Sequence, residues 1–502
     1  MPVPEHILTL DLGTSACKAS LFAPDGRVVA QVGVEYPTLQ PAPGWAEQDP
    51  HAWWDAARAG CAQLPAEARA GVVAVGLSSH RGGVVPVDGA GRPLASCMIW
   101  MDRRATEEVG AFVRAFGRER VHEVTGLVPD TEFSAGKILW LRAHRPDVFR
   151  AARLYLQPRD YLYLRLTGAP ATDYTLASRT LLLDVRSRTW WTDACAYVGI
   201  TPDAFPPVYA SSAAPHAVTA EAAAALGIPV GAPVALGAGD RPCEVLGAGA
   251  TGDRVMVSTG TTTNVSVPSP APPAVTDPRV MCSLHAVDGM VLFEQGMSAS
   301  GSILRWLRDT LLGGTVDYRR FDALAAAVPA GADGLVFLPF MAGARATRWD
   351  PDARGVWFGL SEAHGVGALA RSVMEGVAYE IRACLALLDG IGVHPSEVVA
   401  VGGGARSALW DQILADALGR SVGVPHQADA ASLGAMLLAA AAIGRVRSIE
   451  HAAREINPIV RAYRPDAAAG DRYRGVYDVY TQLYDALRPA FHDLASPQAR
   501  EG

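Results

Sequence analysis

Asp240 closes the turn Gly237-Ala238-Gly239-Asp240, directly after the apolar run Val234-Ala235-Leu236. A carboxylate at the end of a buried strand can orient a hydroxyl group and accept its proton, which is what a phosphoryl acceptor requires. The same spacing also suits an ordinary turn aspartate. A second carboxylate, Asp11, opens Asp11-Leu12-Gly13-Thr14-Ser15-Ala16-Cys17-Lys18 after the apolar run Ile7-Leu8-Thr9-Leu10. There a carboxylate can hold Mg²⁺ through water, because that ion gives up its hydration shell reluctantly. Gly13 permits a tight turn in which backbone N–H groups and the Thr14 and Ser15 hydroxyls face phosphate oxygens. Lys18 adds positive charge. Read alone, the segment is equally a plain hairpin turn.

The second half carries a counterpart, Ser258-Thr259-Gly260-Thr261-Thr262-Thr263. Two such hairpins, one per half, suit a nucleotide clamped between two similar domains. A third element, Val401-Gly402-Gly403-Gly404-Ala405-Arg406-Ser407, lies between a strand and a helix. Three glycines let the backbone approach a flat ring or a phosphate, and the helix N-terminus favours anions. A tight strand-to-helix turn would use the same residues. None of these is a Walker A loop or a G-x-G-x-x-G fingerprint, so the common nucleotide folds are disfavoured.

These turns need strands to hold them. Val72–Val75, Val234–Leu236, Val255–Val257, Leu335–Leu338 and Val398–Val401 join Ile7–Leu10 as short buried strands, alternating with helical patterns. Asp49-Pro50 is an N-cap followed by a first-turn proline, and Met374, Val377, Ile381, Leu385 and Leu388 line one helix face. The class is α/β, in more than one domain at 502 residues. Pro268–Pro278 reads as a linker or long surface loop, and the domain boundary is placed near Gly247–Gly252.

The bulk properties bound the partners. Half of the residues are hydrophobic and 19% are charged, so the chain folds. A net charge of -7 gives no bulk attraction to nucleic acid or acidic lipid. Seven scattered cysteines without a CxxC pair argue against a disulfide framework or a zinc site and fit a reducing cytoplasm. No signal peptide is expected, and Leu433–Gly444 is too short for a membrane span and reads as a buried helix.

Taken in order, the pieces resemble the FGGY carbohydrate kinases, and most of all the xylulokinase-like branch. The resemblance is carried by Gly44-Trp45-Ala46-Glu47-Gln48-Asp49-Pro50 with Trp53-Trp54, and by Ile99-Trp100-Met101-Asp102-Arg103-Arg104. Asp160-Tyr161-Leu162, Leu166-Thr167-Gly168, Ala171-Thr172-Asp173, Leu338-Pro339-Phe340, Arg354-Gly355 and Met374-Glu375-Gly376 extend it. The resemblance implies two ribonuclease-H-like, actin-like ATPase domains with a nucleotide cleft between them, over 1–248 and 249–450, followed by a helical tail over 451–502. It implies ATP and Mg²⁺, with Asp11 at the metal and Thr14, Ser15 and Lys18 facing the phosphates. Gly260 and Thr261 would contact the ADP phosphates, Gly402, Gly403, Gly404 and Ala405 would pack on the adenosine, and Asp240 would be the base.

The acceptor shell departs from that pattern. Ser79-His80-Arg81-Gly82-Gly83 stands where the branch reads G-Q-M-H-G, and Arg241 follows the base where Asn or Gln is usual. Gly343-Ala344-Arg345-Ala346-Thr347 replaces the frequent G-E-R-T-P. The shell is expected to comprise His80, Arg81, Gly82, Trp100, Asp102, Glu132, Asp240 and Arg241. Trp100 serves equally as a core residue. Arg81 and Arg241 suit an acceptor carboxylate, as in an aldonate, or pair internally with Glu132, Glu244 or Asp102. The expected activity is phosphorylation of a small sugar, first a ketopentose such as xylulose. Other polyols or aldonates, or a non-catalytic actin-like nucleotide sensor, are the alternatives. A chaperone ATPase is disfavoured because no peptide-binding region follows. The tail from Arg461 leaves room for a homodimer contact.

Overall fold

The computed structural model describes residues 4–270, 277–314 and 316–495. The middle of the expected linker Pro268–Pro278 and the end of the tail lie outside the described residues. The chain forms two compact units. The first runs through Thr251 and adds Pro268–Leu292 and Asp429–Asn457; the second holds Gly252–Val267, Phe293–Ala428 and the chain from Pro458 onward. The compact units are therefore discontinuous in sequence, whereas the expected boundaries 1–248, 249–450 and 451–502 are not.

The first unit is built on a sheet ordered His216–Ala217, Pro233–Val234, Val72–Ser79, His6–Leu12, Ala16–Phe22, Val28–Glu35, with Ala238–Gly239 also paired to Val72–Ser79. His6–Leu12, Ala16–Phe22 and Val28–Glu35 form an antiparallel meander, while Val72–Ser79 is parallel to His6–Leu12. Every residue of His6–Leu12 is buried, as befits a strand covered on both faces. Helix Pro50–Gln63, capped by the Asp49 carboxylate accepting from His51 N at 2.9 Å, covers one face. The Ala-rich helix Ala430–Ala442 covers the other. It also meets helix Asp240–Gly247 backbone to backbone: a Cβ on Gly434 would lie 1.9 Å from Cys243 O, and one on Gly247 1.8 Å from Ala430 O. This packing draws Asp429–Asn457 into the first unit.

The second seven-stranded sheet repeats the plan with one more edge strand, in the order Met281–Leu284, Met290–Met297, Thr263–Pro270, Arg254–Thr259, Glu397–Val401, Ser421–Pro425, Ile459–Tyr463. Arg254–Thr259 is antiparallel to Thr263–Pro270 and parallel to Glu397–Val401. Helix Val366–Gly390 carries the apolar face expected from Met374 to Leu388. The tail forms helix Ala467–Ala495, whose Tyr473 and Tyr480 hydroxyls donate to Glu375 at 3.0 Å and Glu380 at 2.6 Å. These tyrosines are spent inside the unit. Among the described residues no helix is long and apolar enough to cross a membrane.

Candidate active site

Sheet register assembles the site of the first unit. Asp11 lies beside Ser78, and Ala238 pairs with Ser78 from the other side. The chain therefore leaves three neighbouring parallel strands at Asp11, at His80-Arg81 and at Asp240, on the carboxyl edge where open α/β sheets bind ligands. Asp240 is the first residue of helix Asp240–Gly247, and its side chain is 40% exposed. One oxygen accepts from Arg241 N at 2.7 Å and lies 3.4 Å from Arg81 Nε. It is a fixed carboxylate that still faces outward.

Asp11 is almost fully buried. Burial lifts its pKa to about 6, with Lys18 pulling the other way, and its Oδ1 has no hydrogen-bond partner. A buried anionic oxygen without a donor fits a hydrated divalent cation. Lys18 Nζ stands 3.9 Å from Asp11 and donates to Asp429 Oδ1 at 3.0 Å. Burial opposes its charge, but the two carboxylates outweigh that and hold its pKa above the ordinary value. Asp429 also receives Gln31 Nε2 and, at 3.0 Å, Ser432 Oγ. Sequence reasoning missed Asp429, whose only signal was its place just before the Ala-rich helix.

The Thr14 turn is held from behind. Gln48 Nε2 donates to Thr14 O at 2.6 Å, and Trp100 Nε1 donates to Thr14 Oγ1 at 3.1 Å. Trp100, half-buried, thus braces the Thr14 turn, and Ser15 is exposed beside it.

The acceptor-shell residues divide. His80 is 1% exposed, stacked edge-on to Trp53, with neither ring nitrogen hydrogen-bonded. Burial lowers its pKa to about 4, so it is neutral. Gly82 has φ +79°, and a Cβ there would lie 2.2 Å from Glu132 O, so no side chain fits at this position. The Glu132 carboxylate accepts from Arg179 at 2.6 Å. Asp102 has a fully buried side chain and accepts from Ala46 N at 2.7 Å and from Arg104 Nη2 at 2.6 Å. It is placed to brace the loop around Trp45, which the Arg104 guanidinium covers at 3.6 Å. Arg241 pairs with Glu244 one helical turn on. The two arginines suggested for an acceptor carboxylate are thus engaged with acids of the protein.

In the second unit the two turns expected to meet phosphate and adenosine are brought together by the same logic. Ser258 pairs with Val401, so the Gly260-Thr261 turn and the Gly402 loop leave adjacent parallel strands side by side. Gly402 has φ +82°, and Cβ atoms on Gly402 and Gly404 would meet Thr259 at 2.6 and 2.8 Å. The loop packs on Thr259 and turns the exposed backbone of Gly402 and Gly403 outward; Ala405 is buried, its carbonyl taking Arg461 at 2.6 Å. Gly260 O accepts from Gly301 N at 3.0 Å, and Thr261 O from Ser300 N at 3.1 Å. Gly260, Thr261 and Thr262 are exposed along the turn.

Two sheets that share six strand positions in one order, each with a hydroxyl-and-glycine hairpin, and the first with a buried and an exposed strand-end carboxylate, fit an actin-like phosphotransferase. The N-terminal domain of the FGGY family of carbohydrate kinases matches residues 6–247 and its C-terminal domain matches 255–443. This chain belongs to that family and is an ATP-dependent carbohydrate kinase. It is 32% identical to the xylulose kinase of Escherichia coli (strain K12), over 96% of this chain and 99% of the relative. The xylulose kinase of Rhodospirillum rubrum superposes with a TM-score of 0.90 at 34% identity, covering 97% of this chain and 100% of that one. The gluconate kinase of Lactobacillus acidophilus gives 0.93 at 25% identity, covering 98% and 99%.

Proposed function

We propose that the acceptor is a ketopentose such as xylulose and that Asp240 is the general base. The observation that carries the mechanism is the outward-facing Asp240 carboxylate held beside Arg81 at the strand ends. Asp240 orients one acceptor hydroxyl and takes its proton as that oxygen bonds to the γ-phosphorus of ATP and the bond to ADP breaks. Lys18 offsets phosphate charge, and Thr14 and Ser15 present the hairpin of the first unit. Asp11 would hold Mg²⁺, which when bound neutralises phosphate charge. In the second unit Gly260 and Thr261 would receive the ADP phosphates, with Gly402, Gly403, Gly404 and Ala405 under the adenosine. His80, Arg81 and Trp100 would border the sugar, while Gly82, Asp102, Glu132 and Arg241 shape the shell from within.

The choice of xylulose rests on the two xylulose kinases at 32% and 34% identity. An aldonate is the second reading, favoured by the likeness to gluconate kinase, but Arg81 and Arg241 already face Asp240 and Glu244. The seven cysteines are all buried thiols, in keeping with a cytoplasmic workplace. A homodimer would be read from light scattering. The deciding experiment is ADP release from Mg-ATP across ketoses, polyols and aldonates, each against a no-acceptor control. Xylulose should stimulate most; preference for an aldonate would reverse the substrate assignment. Asp240→Asn should lower turnover by roughly 10² to 10⁴ while ATP still binds.

A further inference from the structure

Behind the base lies a buried polar cluster that touches neither phosphate turn. Arg159 is 0% exposed, yet it is a guanidinium, and removing one from water is costly unless its donors are met. Its Nη1 donates to Leu236 O at 2.7 Å and Gly237 O at 3.2 Å. Its Nη2 donates to Asp160 and Asp173, both at 2.9 Å. The far oxygen of Asp173, also 0% exposed, accepts from Ser211 Oγ at 2.6 Å and Thr175 N at 3.0 Å. Gly237 N donates to Ser211 O at 2.8 Å, and Gly239 N to Thr175 Oγ1 at 2.9 Å.

These partners have a common target. The turn 236–239 must leave the sheet sharply: Gly237 has φ +67°, and a Cβ there would lie 1.7 Å from Leu77 O. A buried turn of this kind strands carbonyls and amides that the strand ladder no longer satisfies. The cluster satisfies Leu236 O, Gly237 O, Gly237 N and Gly239 N, and the last precedes Asp240 directly. Arg159 Nε has no partner of its own, but all four turn groups are met. Buried hydrogen bonds hold such a turn in one geometry, and phosphoryl transfer depends on placement at the ångström level.

We infer that Thr175, backed by Asp173 and Arg159, is a positioning residue for Asp240, its hydroxyl oxygen fixing the Gly239 amide and with it the direction of the base. The inference rests on the proposed role of Asp240. Thr175→Val keeps the shape and removes the acceptor; Thr175→Ser keeps the acceptor. Thr175→Val should lower kcat about ten- to a hundredfold, with KM for sugar and for ATP within about threefold and the melting temperature close to wild type. Thr175→Ser should recover kcat to within a few-fold. Asp240→Asn is measured alongside. If Asp240→Asn is inactive while Thr175→Val turns over like wild type, or Thr175→Ser fails to rescue, the positioning role is wrong. If Asp240→Asn remains active, the base assignment falls first. Should Thr175→Val melt too low to assay, Ser211→Ala, which removes a donor to Asp173, should lower kcat with KM unmoved, and an unchanged kcat would overturn the inference equally.

Discussion

Arg81 Nε lies 3.4 Å from Asp240 Oδ1, the guanidinium side chain 9% exposed and the carboxylate 40%. The pair joins the turn after Val72–Ser79 to the turn after Ala238–Gly239, strands already in register at Ser79 and Gly239. A largely buried guanidinium behind a half-exposed carboxylate fixes the carboxylate without closing its outer side.

Gly239 is what lets Arg81 reach across. A Cβ at this position would fall 2.2 Å from Arg81 Cδ and 2.6 Å from Cγ. In Gly239→Ala the arginine side chain must give way, releasing Asp240. We expect kcat to fall by about ten- to a hundredfold at unchanged ATP KM, read from steady-state kinetics with each substrate varied.

Lys137 ties the acceptor loops together. It is fully buried and its ammonium donates to Gly82 O at 2.9 Å, Thr131 O at 2.8 Å and Glu132 O at 2.7 Å. Lys137→Met strips the donor from three carbonyls, each costing about 1–3 kcal/mol when left unmet. Chemical denaturation should show a loss of about 3 kcal/mol or more, and any folded fraction should have a raised KM for sugar and an ordinary KM for ATP.

Two groups of the first unit give the metal-free protein opposing responses to acid. His80, held at about 4 by burial against an ordinary 6.5, stays neutral when folded, so its contribution is whole above pH 6.5 and is lost as pH falls toward 4. Asp11, lifted to about 6 from 3.8, takes up its proton first when folded; its contribution is whole below 3.8 and is lost as pH rises through 6. At about 1.4 kcal/mol per pKa unit, each is worth about 3 kcal/mol. His80→Gln should therefore gain stability relative to wild type between pH 6.5 and 4, and Asp11→Asn should lose it over pH 6 to 3.8. Melting temperatures against pH in chelator check both signs.

Gly402 tests the nucleotide side separately. Its φ of +82° and the 2.6 Å approach of a would-be Cβ to Thr259 O leave no room for alanine. Left-handed backbone costs an L-residue about 1–2 kcal/mol before the clash is counted. Gly402→Ala should raise the KM for ATP at least tenfold while leaving the KM for sugar nearly unchanged. Equal effects on both would place the loop elsewhere in the mechanism.

Much of the candidate site was legible as strand ends and turns because its parts are local. Asp11 with Gly13-Thr14, Gly260-Thr261, Gly402–Gly404 and Gly239-Asp240 are each a strand end followed by a turn, and turn chemistry is set by neighbours in sequence. The strands Ile7–Leu10 and Val398–Val401 were legible from their unbroken apolar runs, which grew to His6–Leu12 and Glu397–Val401. Val234–Leu236 shrank to Pro233–Val234 because the chain turns onto Arg159 before the ladder is complete.

The sequence by itself determined the strand-and-turn grammar, the paired hairpins and the order of motifs that marks a sugar kinase. Only the tertiary structure decided that Asp429, 411 residues from Lys18, receives its ammonium. It also decided that Gly82 backs onto Glu132 O, that Arg241 turns to Glu244, and that Arg159 spends its donors on the turn before the base. Each of these depends on which strand neighbours which, and on small residues such as Gly434 and Gly247 letting two helices touch. Sheet register and helix contact join residues far apart in the chain, and nothing in the spacing around either partner encodes the other.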